Sequence, residues 1–188
     1  MRRVSALTCG VVGLGRIGRA TARKLRALGA TVLASDPRPP ADTGGVRVLA
    51  LEDVLRRSDV LVLHAPLTPA THHLIGEREL ALMPTGGLLV NVSRGGLVDT
   101  PAVVAALCSG RLSGAALDVL ETEQEIPAEL LDQPGVVITP HIAFSSDASV
   151  IELRRSAAEE VVRVLRGEPA RHPCNQPTAG LVGRGVTQ

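Results

Sequence analysis

The sequence predicts a doubly wound α/β domain, a parallel sheet with helices on both faces. Three observations predict it. Short aliphatic runs alternate with stretches of helical periodicity, the order that builds parallel sheets. Those runs are apolar on both faces, as strands covered on both sides must be. The third is composition: 188 residues, 45% hydrophobic and 21% charged, describe a globular chain of one domain, or one domain and a fragment. With one Phe and no Tyr or Trp, its core must be aliphatic.

Leu7–Val12 reads as the first strand and ends at Gly13. Arg16–Leu28 carries Ile17, Ala20, Leu25 and Leu28 at helical spacing before Gly29 stops it. Thr31–Ala34 is the second strand, and the prolines and glycines from Pro37 to Gly45 exclude regular structure after it. Glu52–Ser58 is a short helix and Val60–Leu63 an apolar strand. Three further strands are expected at Gly87–Val92, Gly114–Leu117 and Val136–Ile138. Helices at Glu77–Met83, Thr100–Ser109 and Ala128–Asp132 separate them, each crossover right-handed. A long helix over Ser145–Arg166 places Ile151, Ala158, Val162 and Leu165 on one face. The remainder is rich in Pro and Gly, and is expected to be mobile or docked on something else.

Charge and cysteine usage exclude several classes. Twenty basic and nineteen acidic residues give a net charge of +1, which argues against binding polyanions by bulk electrostatics. The scarcity of aromatics removes the platforms on which single-stranded nucleic acid stacks. No apolar run approaches the ~20 residues of a membrane span, so a soluble protein is expected. Met1-Arg2-Arg3-Val4 leads into Gly-rich sequence, not into a signal-peptide stretch. Cys9, Cys108 and Cys174 are scattered and read as reduced thiols of a cytoplasmic protein. Cys108, beside Val103, Val104 and Leu107, is expected in the core. His64, His72 and His73 have no Cys or acidic partner beside them at ligand spacing, so no metal site is expected.

Gly13-Leu14-Gly15-Arg16-Ile17-Gly18 is a GxGxxG motif lying between a strand and a helix. Gly13 permits the tight turn, Gly15 lets the backbone approach a pyrophosphate, and Gly18 lets the helix pack on the sheet. The pyrophosphate would sit at the positive end of the helix dipole. Asp36, at the end of the second strand about twenty residues beyond Gly15, can accept hydrogen bonds from the adenosine ribose hydroxyls. It would repel a 2′-phosphate, which favours NAD over NADP, although Arg38 is near enough to blur the preference. The fold is therefore of the Rossmann type. The expected organisation is a dinucleotide-binding domain over 1–144, the long helix over 145–167 and the tail over 168–188.

In the second half of the chain, Asn91-Val92-Ser93-Arg94-Gly95-Gly96-Leu97-Val98-Asp99 is followed by Ala115-Ala116-Leu117-Asp118-Val119 with Glu121 and Glu123, then Thr139-Pro140-His141-Ile142-Ala143. These blocks resemble the D-isomer-specific 2-hydroxyacid dehydrogenases, a family that includes phosphoglycerate dehydrogenase, glyoxylate/hydroxypyruvate reductase and the C-terminal-binding-protein corepressors. The resemblance runs from about Leu7 to Gly167. The stretch from His141 to Arg166 and the tail around Cys174-Asn175 look most like the corepressor-type branch.

Reduction of a 2-oxo acid needs a cation for the carboxylate, a hydride donor and a proton donor for the developing alkoxide. Arg94 can clamp carboxylate and carbonyl with its planar fork. His141 is the natural proton donor, and Glu123 would orient its imidazole and favour the protonated form. The resemblance implies the same roles for these three residues. It also implies that Asp118 faces the nicotinamide end and that Arg16, Ile17, Pro66, Thr71, Val92 and Ser93 line the cofactor, together with Arg94, His141 and Ala143.

Family members are typically longer, with an N-terminal part that builds most of a substrate-covering domain; nothing in this sequence corresponds to it. Gln124 stands where many members have proline. Three readings follow: an NAD-dependent dehydrogenase of small 2-hydroxy or 2-oxo acids, an NAD-binding dimerisation or regulatory module with little turnover, or a short biosynthetic homologue with redirected chemistry. The family's cofactor domains pair with each other, so a homodimer is expected.

Overall fold

The computed structural model of the chain describes residues 2–122 and 125–173. Seven strands form one sheet: β1 (Thr8–Val12), β2 (Thr31–Ser35), β3 (Arg47–Val48), β4 (Val60–Leu63), β5 (Gly87–Asn91), β6 (Leu112–Leu117) and β7 (Val136–Ile138). Their order is β3-β2-β1-β4-β5-β6-β7, and every pairing is parallel. The helices between them are α1 (Arg16–Ala27), α2 (Leu51–Arg57), α3 (Glu77–Leu82), α4 (Thr100–Cys108) and α5 (Ala128–Leu131). A doubly wound sheet with this order reverses its winding between β1 and β4. Cys9 marks the place, in register with Val32 on one side and Val60 on the other.

Two aliphatic cores cover the sheet. One joins Val54 and Leu55 of α2, Leu80 of α3 and Val103 and Leu107 of α4 to Leu61, Leu63 and Leu89 of the strands. The other gathers Cys9, Val11, Leu14, Ala22 and Val32 beneath α1. Each fully buried leucine contributes about 1.5–3 kcal/mol, enough for a core without aromatics to hold.

Three details differ from the sequence expectation. The two-residue strand β3 closes the edge just after the Pro/Gly loop, too short to leave an alternating or apolar run. Helix α1 buries Gly18 and Ala22, whereas Ile17 and Leu28 are 70% and 63% exposed. The small residues form the contact face because the helix lies very close to the turn before it. Cys108 is exposed: α4 buries Val103, Ala106 and Leu107, and the next position turns away from that stripe. There its Sγ accepts a 3.6 Å hydrogen bond from Gln133 Nε2.

The described residues divide into two units, with the break between Ala143 and Phe144. The second unit carries α6 (Asp147–Leu165), none of whose residues is buried. Ser146 caps it: its Oγ accepts from Ser149 N at 3.1 Å, and Ser149 Oγ accepts from Ser146 N at 2.7 Å. No helix among the described residues is long and apolar enough to cross a membrane. Cys174 and Asn175 lie outside the described residues.

Candidate active site

The turn after β1 is built by backbone crowding. Gly13 has φ +91°, and a Cβ there would meet the carbonyl oxygen of His64 at 2.6 Å. A Cβ on Gly18 would meet Gly13 O at 2.0 Å, so only glycine lets α1 sit on the turn. Gly15 differs: a Cβ there meets nothing within 4 Å. It is the N-cap residue of α1, with no side chain capping the helix and no acidic residue in the first turn. The exposed N–H groups and the open space above Gly15 fit a pyrophosphate.

Asp36 follows β2 and is fixed by the same turn. Its Oδ2 accepts from Leu14 N at 2.7 Å and its Oδ1 from Arg38 N at 2.8 Å. Each carboxylate oxygen keeps a further lone pair, so the residue can still receive a ribose hydroxyl. Arg16 and the 70% exposed Ile17 stand at the same helix end. Across the reversal point, Pro66 and Thr71 form one turn, with Thr71 Oγ1 donating to Pro66 O at 2.7 Å. His64 begins that segment. Its Nε2 is buried without a hydrogen-bond partner among the described residues, and burial lowers its pKa below the ordinary histidine value.

Arg94 follows β5. Ser93 Oγ donates to Leu63 O at 2.8 Å, and buried Asn91 donates through Nδ2 to Arg94 O at 2.9 Å. Val92 lies between these anchored residues. A Cβ on Gly95 would meet the backbone of Leu120 at 2.0 Å, so glycine lets the Arg94 turn lie against the end of β6. The guanidinium is exposed, and its Nη1 donates to Ser93 O at 2.6 Å.

Beyond β7 the chain turns sharply at His141, which has φ +53°. Asp118, at the end of β6 and only 5% exposed, holds this turn. Its Oδ1 accepts from Thr139 Oγ1 at 2.6 Å and Ile142 N at 2.9 Å, and its Oδ2 from Ala143 N at 3.0 Å. His141 N donates to Asp118 O at 2.9 Å. Burial alone would raise the carboxyl pKa. The three hydrogen bonds and the nearby His141 outweigh it and hold the group below its usual range. His141 opens on a cleft of about 400 Å³ lined also by Leu120, Ile126, Leu131 and Ile138.

Thus the residues expected around a dinucleotide gather at the carboxyl ends of the central strands, where open α/β sheets bind ligands. Arg94 and His141 follow strands two places apart, a backbone separation of about 10 Å at ~4.8 Å per strand. Two features escaped the sequence reading. Asp118 is the anchor of the His141 turn, a role signalled only by a buried carboxylate facing a proline turn in another part of the chain. The other is the contact of His73 with Glu121. Glu123 and Gln124 lie outside the described residues.

Residues 1–143 match the family model described as D-isomer specific 2-hydroxyacid dehydrogenase, NAD binding domain. The chain belongs to this family, and the cofactor of the domain is NAD. It is 38% identical over 174 residues to a D-3-phosphoglycerate dehydrogenase of Methanocaldococcus jannaschii, covering 90% of this chain and 33% of that one. It is 39% identical over 171 residues to a D-specific alpha-keto acid dehydrogenase of Enterococcus faecalis, covering 84% and 51%. Among solved structures it resembles a D-isomer specific 2-hydroxyacid dehydrogenase from Lactobacillus delbrueckii in its NAD-complexed form, with TM-score 0.86, 34% identity and coverage of 90% and 56%. It likewise resembles a D-lactate dehydrogenase from Aquifex aeolicus complexed with NAD and lactic acid, with TM-score 0.82, 35% identity and coverage of 89% and 56%. The chain therefore spans about a third to a half of the length of these relatives.

Proposed function

We propose that the chain acts in NAD-dependent oxidoreduction of a small 2-hydroxy or 2-oxo acid. The observation that carries the reading is the His141 turn, strained to positive φ and pinned by a buried carboxylate beside the dinucleotide cradle. Bound NAD(H) supplies or accepts the hydride. Arg94 swings from Ser93 O to grip the substrate carboxylate and carbonyl through its fork. His141 donates the proton that completes the alcohol in reduction and takes it back in oxidation. Glu123 acts as the partner that orients His141, a role carried over from the family resemblance. Gly13, Gly15, Arg16, Ile17, Gly18 and Asp36 hold the adenosine and pyrophosphate. Pro66, Thr71, Val92, Ser93 and Ala143 line the rest of the cofactor, and Asp118 supports its nicotinamide end.

The protein works as a homodimer in a reducing, cytoplasmic setting, in this reading. Edge strand β7, with Val137 60% exposed and Leu131 of the neighbouring α5 62% exposed, supports pairing. The free thiols of Cys9 and Cys108 suit such a compartment. A second reading, an NAD-binding regulatory module with little turnover, is favoured by one observation. Arg94 is turned onto its own backbone at Ser93 O.

The test is NADH absorbance and fluorescence in one cell, with glyoxylate, hydroxypyruvate and phosphohydroxypyruvate added in turn. Oxidation is expected, and it should fall about 10²–10⁴-fold in His141→Ala and at least roughly 10²-fold in Arg94→Ala. Enhanced NADH emission without oxidation of any of the three would favour the regulatory module.

A further inference from the structure

The sequence places no acidic residue beside His72 and His73, yet the fold brings one to them from 48 residues away. His73 Nε2 lies 2.5 Å from Glu121 Oε1. The imidazoles of His72 and His73 stack with centroids 4.0 Å apart and planes 28° from parallel. One donor atom from each of the three side chains lies within 4.8 Å of the other two. We propose that His72, His73 and Glu121 bind a divalent transition-metal ion of the zinc class, a site separate from the hydride-transfer chemistry.

The donors stand on a fixed frame. His73 is one of two described non-glycine residues with left-handed backbone, φ +51°, a conformation that costs energy and gathers at functional positions. Its N–H donates to Gly96 O at 2.8 Å, and Ile75 N donates to Leu97 O at 3.0 Å. The histidine pair is thereby tied to the Gly95–Leu97 turn. Glu121 is oriented from behind: Thr100 N donates to its Oε2 at 2.9 Å, leaving Oε1 turned to His73. Backbone and second-sphere contacts of this kind orient metal ligands in known sites.

The donor chemistry selects the ion. Two imidazoles and one carboxylate are a common zinc set that leaves a fourth position for water. Nitrogen donors suit zinc, nickel and copper, whereas magnesium and calcium prefer oxygen alone. Bonds of about 2.0–2.2 Å place tetrahedral ligand atoms roughly 3.3 Å apart. The pair at 2.5 Å must open, and the remaining donor atoms, all within 4.8 Å of one another, need move by no more than about 1–2 Å at exposed side chains. The ion would lock segment 66–73 to segment 118–121, the strand end that leads into Glu123.

Calorimetric titration of the full chain with ZnCl₂ tests the site, with Cys108→Ser as the control for thiol binding. One ion per chain is expected, with affinity reduced at least tenfold in His72→Gln and in His73→Gln and unchanged in Cys108→Ser. His72→Gln leaves the His73–Glu121 contact in place, so its circular dichroism should match the wild type. Cobalt(II) should give a visible ligand-field spectrum without a thiolate charge-transfer band. Zinc affinity equal in wild type and both histidine variants would overturn the proposal. So would loss of binding in Cys108→Ser, or no zinc binding by the wild type at micromolar concentration.

Discussion

Glycines 15 and 18 sit three residues apart in one motif and have opposite reasons to be glycine. A methyl on Gly18 collides with Gly13 O, whereas a methyl on Gly15 points into open space. Gly18→Ala should therefore cost about 1–3 kcal/mol of stability. Gly15→Ala should leave the melting temperature within about 2 °C and weaken NADH binding at least tenfold by fluorescence titration. Titratable residues add a second test. His64 is half-buried, and burial lowers its pKa, so the unfolded chain takes up that proton first. Stability from this group is lost as pH falls below roughly 6.5, and His64→Gln should flatten the slope in thermal melts. Asp118 behaves separately. Its lowered pKa gives a contribution present above about pH 4 and lost as pH falls through the folded value. Asp118→Ala, which strands the Ile142 and Ala143 N–H groups, should cost about 2–4 kcal/mol in denaturant unfolding.

Helix α4 shows how much an element's ends contribute. Asp99 caps it, accepting from Ala102 N at 3.2 Å, and Pro101 lies in its first turn. Asp99→Ala should lower stability by about 1 kcal/mol, or roughly 2–4 °C in melting temperature for a chain of this size. Elements with such signals, or strands apolar on both faces such as Val60–Leu63, were legible in sequence because local chemistry and tertiary environment agree. Strand β3 was not, since two residues carry no periodicity. The faces of α1 and α4 were read only in part. Aliphatic side chains at helical spacing include exposed ones, and which stripe is buried depends on how closely a helix can approach its sheet. The dinucleotide turn was legible because its glycines adjoin each other in the chain. The Asp118 anchor and the His73–Glu121 contact were not, because each joins segments far apart in sequence.

At the largest scale, the first unit is built on a sheet whose winding reverses beside the cofactor cradle. NADH at about a hundred times its dissociation constant should stabilise the fold by about 2.7 kcal/mol, raising the melting temperature by roughly 5–11 °C. Scanning fluorimetry with an external dye would record it. The proposed homodimer is checked by sedimentation at micromolar concentration, where a monomer would refute it. The all-parallel order also bears on how the chain is born. No strand can pair with its neighbour through a hairpin. β1 obtains its β4 partner only after the segment between Val12 and Val60 has been made. At about 5–20 residues per second that is a wait of several seconds. During it the β1 edge that will receive β4 is open, and the emerging chain is most exposed to misassociation there. Slowed translation just after β1 should aggravate this, whereas slowed translation after β4 should not.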